Sequence, residues 1–335
     1  GDGIHPSRHG HYVIAHTLLY KLFGVQTECL EELLNGNNGA LFELLYQRDR
    51  LSHSYYKEWI GHDNPYKNEL PADWQAQVAA LDRQIAARLQ AQPLTRQFQW
   101  NGFAAQEFFS TDGYEVIVAK PKQAAEGRPW VWRTEFFGAF PSADLELLRR
   151  GWHVAQLRIP DLYGCPYAVQ CMERFRVQLQ QQFSLAEKPV LFGFSRGGLY
   201  AVNYAAAYPQ QVQLLYLDAP VVDTASWPGG KFSGEGSPAE WAQCQAAYGT
   251  AYDSTAQKQQ NAQKLLGARL PLLLCAGDSD RVVPYSENGA FLAECYQNSG
   301  VPFRLVVKPG VGHHPHSLED PSELVEFILK HAAKA

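Results

Sequence analysis

The sequence is poor in methionine and has no cysteines at metal-binding spacings. Its only methionine is Met172, so we expect that Gly1 is not the translational start, and the compartment stays open. The six cysteines include no Cys-x-x-Cys spacing, which argues against a zinc or iron–sulfur centre. We expect free, mostly buried thiols, with Cys165 and Cys171 as an alternative pair in an oxidising compartment.

The chain also lacks a basic excess and any long apolar run. It carries 29 basic and 34 acidic residues, a net charge of −5, whereas a general nucleic-acid binder is usually basic. The longest apolar runs, such as residues 270–276, are too short to cross a bilayer. We therefore expect neither a nucleic-acid partner nor a membrane span, and the oligomeric state stays open.

The first part of the sequence has helical periodicity. Apolar residues recur at helical spacing over residues 12–23, 41–59 and 74–89, and Pro93 ends the last of these segments. We interpret residues 1–97 as a helical N-terminal extension.

The pattern changes after residue 96 to short apolar strands that alternate with helices, which is typical of a mostly parallel sheet covered on both faces. Two strands at 103–110 and 114–120 form a predicted hairpin. The later strands are predicted at 130–133, 153–159, 189–194, 212–218, 270–277 and 303–308, and the helices at 142–150, 167–183, 196–208, 286–299 and 321–333. Residues 98–335 thus form a predicted α/β domain, with a cap insertion at about 221–265.

The strongest motif is Gly-Phe-Ser-Arg-Gly at residues 193–197. It stands between a buried strand and a helix, which is the context that a nucleophile elbow needs. We therefore predict Ser195 as a nucleophile at the carboxyl edge of the sheet. A serine hydroxyl needs a base to activate it, and the base needs an orienting acid.

Candidates for the acid follow two later strands. Asp280 lies just after the strand at 270–277, whereas Asp278 in the same loop better suits a turn cap. Asp218 ends the preceding strand and is the main alternative. We favour Asp280.

Candidates for the base follow the strand at 303–308. Three histidines occur close together there, at His313, His314 and His316, and we favour His313. The resulting order of serine, acid and histidine along the chain is that of α/β-hydrolases.

Residues from about 98 to 335 resemble an α/β-hydrolase of the serine esterase kind. The elbow, the segment Gly-Asp-Ser-Asp-Arg-Val-Val-Pro at 277–284 and the segment Gly-Val-Gly-His at 310–313 carry the resemblance. The segments at 130–133 and 227–230 are similar to bacterial esterases that deacylate plant-polysaccharide sugars. The resemblance implies hydrolysis of small acyl or methyl esters, those of carbohydrates included, with no metal and no cofactor. Sugar-ester relatives are often exported.

The resemblance also implies an oxyanion hole made of two backbone N–H groups. One belongs to Arg196, the residue after the nucleophile. The other comes from the loop at 135–138, where the sequence lacks the His-Gly-Gly-Gly form, so Glu135 and Phe136 both remain candidates.

Three arginines are expected at the mouth of the site. Arg133 and Arg158 lie near the ends of predicted strands, and Arg196 follows the nucleophile. They are predicted to bind a polar or acidic substrate, or alternatively to pair with Glu135 and Asp161.

Two tryptophans stand out in the predicted cap, Trp227 and Trp241. Their rings suit stacking on an apolar or sugar face of a substrate, and a role in the core of the cap is equally consistent.

The N-terminus carries a separate motif. Asp2 and His5, before an apolar helix, resemble the final catalytic block of SGNH hydrolases, so residues 1 to about 95 are interpreted as the tail of a truncated SGNH domain and a linker. On that interpretation both side chains are inert, and the Gly-Asp-Ser at 277–279 is a coincidence. The alternative is an ordinary capped helix start.

Two other functions fit the same motifs. A peptidase of the prolyl-oligopeptidase type shares the fold and the triad, although such enzymes usually carry a β-propeller before the hydrolase domain, and a helical region stands there in this sequence. A non-catalytic binding module typically lacks a member of the triad, whereas candidates for all three are present here.

Overall fold

The computed structural model of the chain describes residues 43–44, 47–48, 51, 72–91, 95–249 and 252–332. The chain divides into two compact units, Gly1–Leu94 and Thr95–Ala335. In the first unit, helix α1 (Trp74–Ala91) agrees with the predicted third helix. Asp2, His5 and the helix predicted at 12–23 lie outside the described residues. No helix among the described residues has the length and hydropathy needed to cross a membrane.

The second unit is built on a sheet of nine strands in the order β1-β2-β3-β5-β4-β6-β7-β8-β9. Strands β1, β2 and β3 run antiparallel to their neighbours. The remaining strands, β5-β4-β6-β7-β8-β9 in the order of the sheet, all pair in parallel. The strands are β1 (Arg96–Trp100), β2 (Phe103–Phe109), β3 (Glu115–Ala119), β4 (Trp130–Arg133), β5 (His153–Leu157), β6 (Val190–Phe194), β7 (Leu214–Asp218), β8 (Leu272–Gly277) and β9 (Phe303–Lys308).

Helices cover both faces of this sheet. The helices of this unit are α2 (Ser142–Arg149), α3 (Pro166–Phe183), α4 (Gly197–Ala207), α5 (Pro238–Tyr248), α6 (Ser254–Gly267), α7 (Gly289–Gln297) and α8 (Ser322–His331). Buried residues of α3, α4, α6 and α7 share one core, and those of α2 and α8 share the other. The architecture is that of an α/β-hydrolase, as predicted.

Alternation along each strand divides its side chains between the two cores. On β6, Leu191 enters the core under α3 and α4, whereas Val190 and Phe192 enter the core under α2 and α8. Because both faces are covered, the parallel strands read as unbroken apolar runs and not as alternating ones.

The pairing register places the carboxyl ends of four strands side by side. Phe194 pairs with Asp218, Asp218 pairs with Cys275, and Gly277 pairs with Lys308. The loops that follow β6, β7, β8 and β9 therefore leave the sheet at one edge. This is the edge at which open α/β sheets bind their ligands.

The segment between β7 and β8 is less irregular than the sequence suggests. Its second helix, α6, places Ala262 and Leu265 in the main core beside α4, as an ordinary covering helix does. The part that departs from the α/β pattern therefore ends near Asp253. We keep the name cap for residues 221–253.

The five cysteines that the structure describes are free, and Cys165 and Cys171 do not pair with each other. Four of them are buried, which agrees with the expectation of structural thiols.

Candidate active site

Ser195 occupies a sharp turn between β6 and α4. Its φ of +48° lies in the left-handed region, which a residue with a side chain seldom adopts without support. The support is backbone bonding: the Ser195 N–H donates to the Asp218 carbonyl at 3.0 Å, and the Ser195 carbonyl accepts from Gly198 and Val221, each at 2.9 Å. The turn thus holds the hydroxyl out from the sheet edge.

The turn requires glycine at residues 193 and 197, because neighbouring segments of the chain leave no room there for a side chain. A Cβ atom at Gly193 would lie 2.8 Å from Cβ of Ala201 and 2.9 Å from a methyl group of Leu217. A Cβ atom at Gly197 would lie 3.0 Å from the Thr134 hydroxyl. Strand, helix and the loop after β4 therefore converge on the serine.

The structure brings together Ser195, His313 and Asp280 from three separate loops. His313 Nε2 lies 2.9 Å from Ser195 Oγ, and His313 Nδ1 lies 2.8 Å from Asp280 Oδ2. The side chain of His313 is 10% exposed and that of Asp280 is 1% exposed. This continuous hydrogen-bonded line can pass the serine proton to the imidazole.

Asp280 is fixed by its own loop. Its Oδ1 accepts two backbone N–H bonds, from Val282 and Val283, each at 2.9 Å. The other carboxylate oxygen is thereby left facing His313. The carboxylate can orient the ring without rotating.

The two rival aspartates have other partners. Asp278 accepts from the Gly310 N–H at 2.7 Å and from the Ser279 hydroxyl at 2.9 Å, so it ties together the loops after β8 and β9. Asp218 is fully buried, and its Oδ1 lies 3.0 Å from Nδ1 of His316. Neither contacts His313 through a hydrogen bond in the described part of the chain.

Asp218 and His316 belong to a second buried polar group that the sequence did not reveal. Asp218 also accepts from the Ser317 N–H at 2.7 Å and lies 3.4 Å from the Lys308 ammonium. Tyr216 donates to it at 3.3 Å, and burial raises the pKa of that phenol well above its ordinary value. The sequence analysis considered Asp218 and His316 separately, because their pairing depends on how β7 and β9 are aligned in the sheet.

His314 is the exposed member of the three histidines. Its ring stacks on Phe140 at 5.6 Å between centroids. Desolvation, followed by the neighbouring rings of His316 and His313, lowers the pKa of His314.

Two backbone N–H groups of the loop after β4 already have hydrogen-bond partners. After β4, the Thr134 N–H donates to the Phe192 carbonyl at 3.0 Å, and the Phe137 N–H donates to the Gln156 side chain at 3.1 Å. The two residues between them, Glu135 and Phe136, are the ones that the sequence suggests as the second donor of an oxyanion hole. Phe136 has a φ of +57° and is 41% exposed.

Arg133 does not lie at the mouth of the site, contrary to the expectation. Its side chain is fully buried, its Nε lies 3.0 Å from Asp144 on α2, and its guanidinium stacks on the ring of Phe194 at 4.1 Å. It also donates to the Ala139 carbonyl. The strand end turns this side chain into the core, so Arg133 cannot contact a substrate.

Arg158 and Arg196 are both held in ion pairs. Arg158 lies 2.6 Å from Glu115 on β3. Arg196 binds Glu135 through two bonds of 2.7 and 3.0 Å and lies 3.7 Å from Asp161, which is the alternative that the sequence analysis left open.

Arg196 also contacts the cap, which the sequence did not suggest. Its Nη1 lies 3.0 Å from Glu240 on α5, and Tyr163 donates to the same carboxylate at 2.6 Å. Burial raises the pKa of Glu135, although the adjacent guanidinium of Arg196 acts in the opposite direction. Arg196 thus links the elbow, the loop after β4 and the cap.

Trp227 lies in the cap, partly buried in a small apolar cluster. The cluster joins it to Tyr163, Leu199, Val221 and Val283, from four different segments around the elbow. Trp241 packs against the same cluster. Both rings therefore contribute to the packing of the cap.

The cap is tied to the loop that carries Asp280. The Glu235 N–H donates to the Arg281 carbonyl at 2.7 Å, and the Ser226 hydroxyl donates to Glu287 at 2.5 Å. A movement of the cap would therefore also displace the loop that carries Asp280.

Comparison with known proteins places this geometry in a family. The model of the prolyl oligopeptidase family matches residues 162–335, just over half of the chain. The match includes all three residues of the hydrogen-bonded line, and it falls in the family that the sequence analysis had weighed as its second interpretation.

Solved structures with the same fold include peptidases and an esterase-like enzyme. A puromycin-hydrolysing peptidase of Mycobacterium tuberculosis is 14% identical, with a TM-score of 0.51 over 72% of this chain and 40% of that one. Dipeptidyl peptidase 4 of Porphyromonas gingivalis is 13% identical, with a TM-score of 0.52 over 74% and 37%. An S-formylglutathione hydrolase of Agrobacterium tumefaciens is 17% identical, with a TM-score of 0.50 over 71% and 97%. At these identities the likeness concerns the fold alone.

Proposed function

The chain belongs to the prolyl oligopeptidase family of serine hydrolases, and we propose that within this family it hydrolyses carboxylic esters through an acyl-enzyme. One observation carries the proposal: the hydrogen-bonded line from Ser195 Oγ through His313 to the buried carboxylate of Asp280.

In the proposed mechanism, Ser195 attacks the ester carbonyl while His313 Nε2 takes the hydroxyl proton. Asp280 holds the proton of the ring on Nδ1 and stabilises the imidazolium that forms. The leaving alkoxide then takes the proton from Nε2, and an acyl group remains on Ser195. A water molecule, activated by the same imidazole, releases the acid and restores the serine.

The negative charge that develops on the carbonyl oxygen needs donors that are already in place. We propose the backbone N–H groups of Arg196 and Phe136. The N-terminus of helix α4 also stabilises negative charge at this position, because the aligned peptide dipoles give this end of the helix a partial positive charge. No metal or organic cofactor takes part in this scheme.

Ester hydrolysis is the minimal activity that such a site supports. The same nucleophile and base attack esters and amides, but an ester releases an alkoxide, whereas an amide requires the imidazolium to protonate an amine before it can leave. A peptide also needs an extended subsite to hold its chain.

The second candidate is peptide hydrolysis. The match to the prolyl oligopeptidase family is the observation that favours it. It differs from the first proposal in the leaving group and not in the catalytic residues.

The alcohol and the acyl group are proposed to be small, with the cap setting the choice. The cap cluster around Trp227 approaches the elbow through Leu199, which lies four residues after the nucleophile at the start of α4. Carbohydrate alcohols are included as a specific hypothesis from the resemblance to sugar-ester hydrolases.

A parallel rate comparison tests the proposal. p-Nitrophenyl acetate, methyl, feruloyl and acetyl sugar esters and a peptidyl p-nitroanilide are each assayed with the wild type and with Ser195→Ala. We expect hydrolysis of short esters that Ser195→Ala abolishes. Cleavage of the anilide with a higher kcat/KM than any ester would favour the peptidase. No turnover and no reaction with a fluorophosphonate would favour a non-catalytic binding module.

A further inference from the structure

The three histidines after β9 form a compact cluster of rings. The ring centroids of His313, His314 and His316 are 4.8, 4.9 and 5.0 Å apart, and the rings are inclined to one another by 64° to 86°. Three imidazoles that share one zinc ion at about 2.0 Å have their centres roughly 5 Å apart. The separations between the ring centroids therefore match those of a three-histidine metal site.

Two of the three rings are oriented as metal ligands usually are. Nδ1 of His313 lies 2.8 Å from Asp280, and Nδ1 of His316 lies 3.0 Å from Asp218. A carboxylate that accepts from Nδ1 leaves the lone pair on Nε2, and this carboxylate–histidine pair is the common arrangement behind a metal ion. Both carboxylates are buried, so both orientations are firmly held.

The third ring supplies access from solvent. His314 is exposed, whereas His313 is partly buried and His316 is buried. One ring nitrogen from each residue lies within 4.8 Å of the others. Nitrogens bound to a tetrahedral zinc ion are roughly 3.3 Å apart, so an ion that binds here would draw the three rings closer together.

We propose that His313, His314 and His316 bind a divalent ion of the zinc type and that this ion reversibly blocks the enzyme. The ion would take the lone pair of His313 Nε2, the same atom that lies 2.9 Å from Ser195 Oγ and accepts its proton in the proposed mechanism. A coordinated imidazole cannot act as a base. The binding of the ion stands on geometry alone, and the inhibition rests on the proposed function.

The ligand set also defines which ions are recognised. Imidazole nitrogens suit Zn²⁺, Co²⁺, Ni²⁺ and Cu²⁺, whereas Mg²⁺ and Ca²⁺ prefer oxygen. The site should therefore discriminate between these two groups at equal concentration.

Binding is measured first, without reference to activity. Co²⁺ is titrated into the Ser195→Ala variant, and the visible absorption bands of the bound ion report its coordination. We expect one ion per chain with tetrahedral bands, and at least about tenfold weaker binding when His314→Ala is added. The matched control is His331→Ala, which removes a histidine that contacts Phe327 on α8. Equal Co²⁺ affinity in the His314 and His331 variants would overturn the proposal.

Inhibition is measured second, with p-nitrophenyl acetate in metal-free buffer. We expect micromolar Zn²⁺, but not Mg²⁺, to remove the activity of the wild type, and a chelator to restore it. The half-inhibitory Zn²⁺ concentration should rise at least about tenfold in His314→Ala relative to that variant's own uninhibited rate, and should not change in His331→Ala.

The two measurements separate the two proposals. Cobalt binding that depends on His314, in a protein that hydrolyses no ester, would keep the metal site and refute the proposed function. Ester hydrolysis that Zn²⁺ leaves unchanged, or inhibits equally in both histidine variants, would refute the metal site and keep the proposed function.

Discussion

The replacement of Asp280 by Asn should remove catalysis by reversing one proton position. In the wild type, Oδ1 of Asp280 accepts from the Val282 and Val283 N–H groups at 2.9 Å, and Oδ2 faces His313 Nδ1 at 2.8 Å. An asparagine must keep its carbonyl oxygen toward the two backbone donors. Its NH₂ group is then forced to face His313.

This orientation fixes the wrong form of the imidazole. The amide of the asparagine would donate to Nδ1, so the ring proton would move to Nε2, the atom that faces Ser195 Oγ at 2.9 Å. With its proton on Nε2, the ring has no lone pair there to accept the proton of Ser195. The loss of kcat expected for such a reversal is about 10⁴-fold, equivalent to about 5 kcal/mol of transition-state stabilisation.

The assay compares Asp280→Asn with Asp218→Asn as a matched control. Asp218 is equally buried but serves His316, Ser317 and Lys308, so its replacement should lower the melting temperature and reduce kcat/KM by less than about tenfold. Steady-state rates on p-nitrophenyl acetate and thermal melts are measured for both. The reasoning is refuted if Asp280→Asn keeps more than about a tenth of the wild-type rate, or if Asp218→Asn is the more damaging change at an unchanged melting temperature.

Three further variants test Glu107 on β2, Arg196 after the nucleophile and Trp227 in the cap. Burial, and then Glu115, raise the pKa of Glu107 from 4.5 to about 7, so the stability that this group contributes is present below pH 4.5 and is lost as the pH rises through 7. Glu107→Gln should therefore have the same melting temperature as the wild type at pH 4.5 and a higher one at pH 8. Equal melting temperatures at both pH values would contradict this. Arg196→Leu leaves Glu135 buried without its partner and should lower the free energy of unfolding by about 3 kcal/mol in a denaturant titration. Adding Glu135→Gln should restore part of this loss. An unchanged free energy of unfolding would instead favour a role for Arg196 in binding the substrate. Trp227→Ala should change KM unevenly across the ester panel, whereas a uniform loss that follows lower thermal stability would assign the ring to cap packing alone.

The parts of the fold that follow from local pattern were predictable. The elbow was recognisable because a buried strand, a glycine-flanked serine and a helix stand together in the sequence, and the structure gives Ser195 the required left-handed turn. Strand β1 (Arg96–Trp100) was missed because its residues are largely exposed and it is defined only by pairing with β2.

The roles of charged residues were less predictable, because they depend on partners distant in the chain. Arg133 looked like a mouth residue from its place at a strand end, but a helix that starts nine residues later supplies Asp144 and draws it into the core. Arg196 could be placed beside the nucleophile, yet its contact with Glu240 depends on how the cap folds back. The pairing of Asp218 with His316 likewise needs the register of the sheet.

The most direct test of the central claim is to locate the nucleophile chemically. The protein is treated with a fluorophosphonate, digested, and mapped by mass spectrometry, with Ser195→Ala as the control. We predict a single adduct on Ser195, no adduct in the variant, and a loss of kcat on the order of 10⁶-fold in that variant. An adduct on another residue, or more than about a tenth of the wild-type rate in Ser195→Ala, would contradict the account.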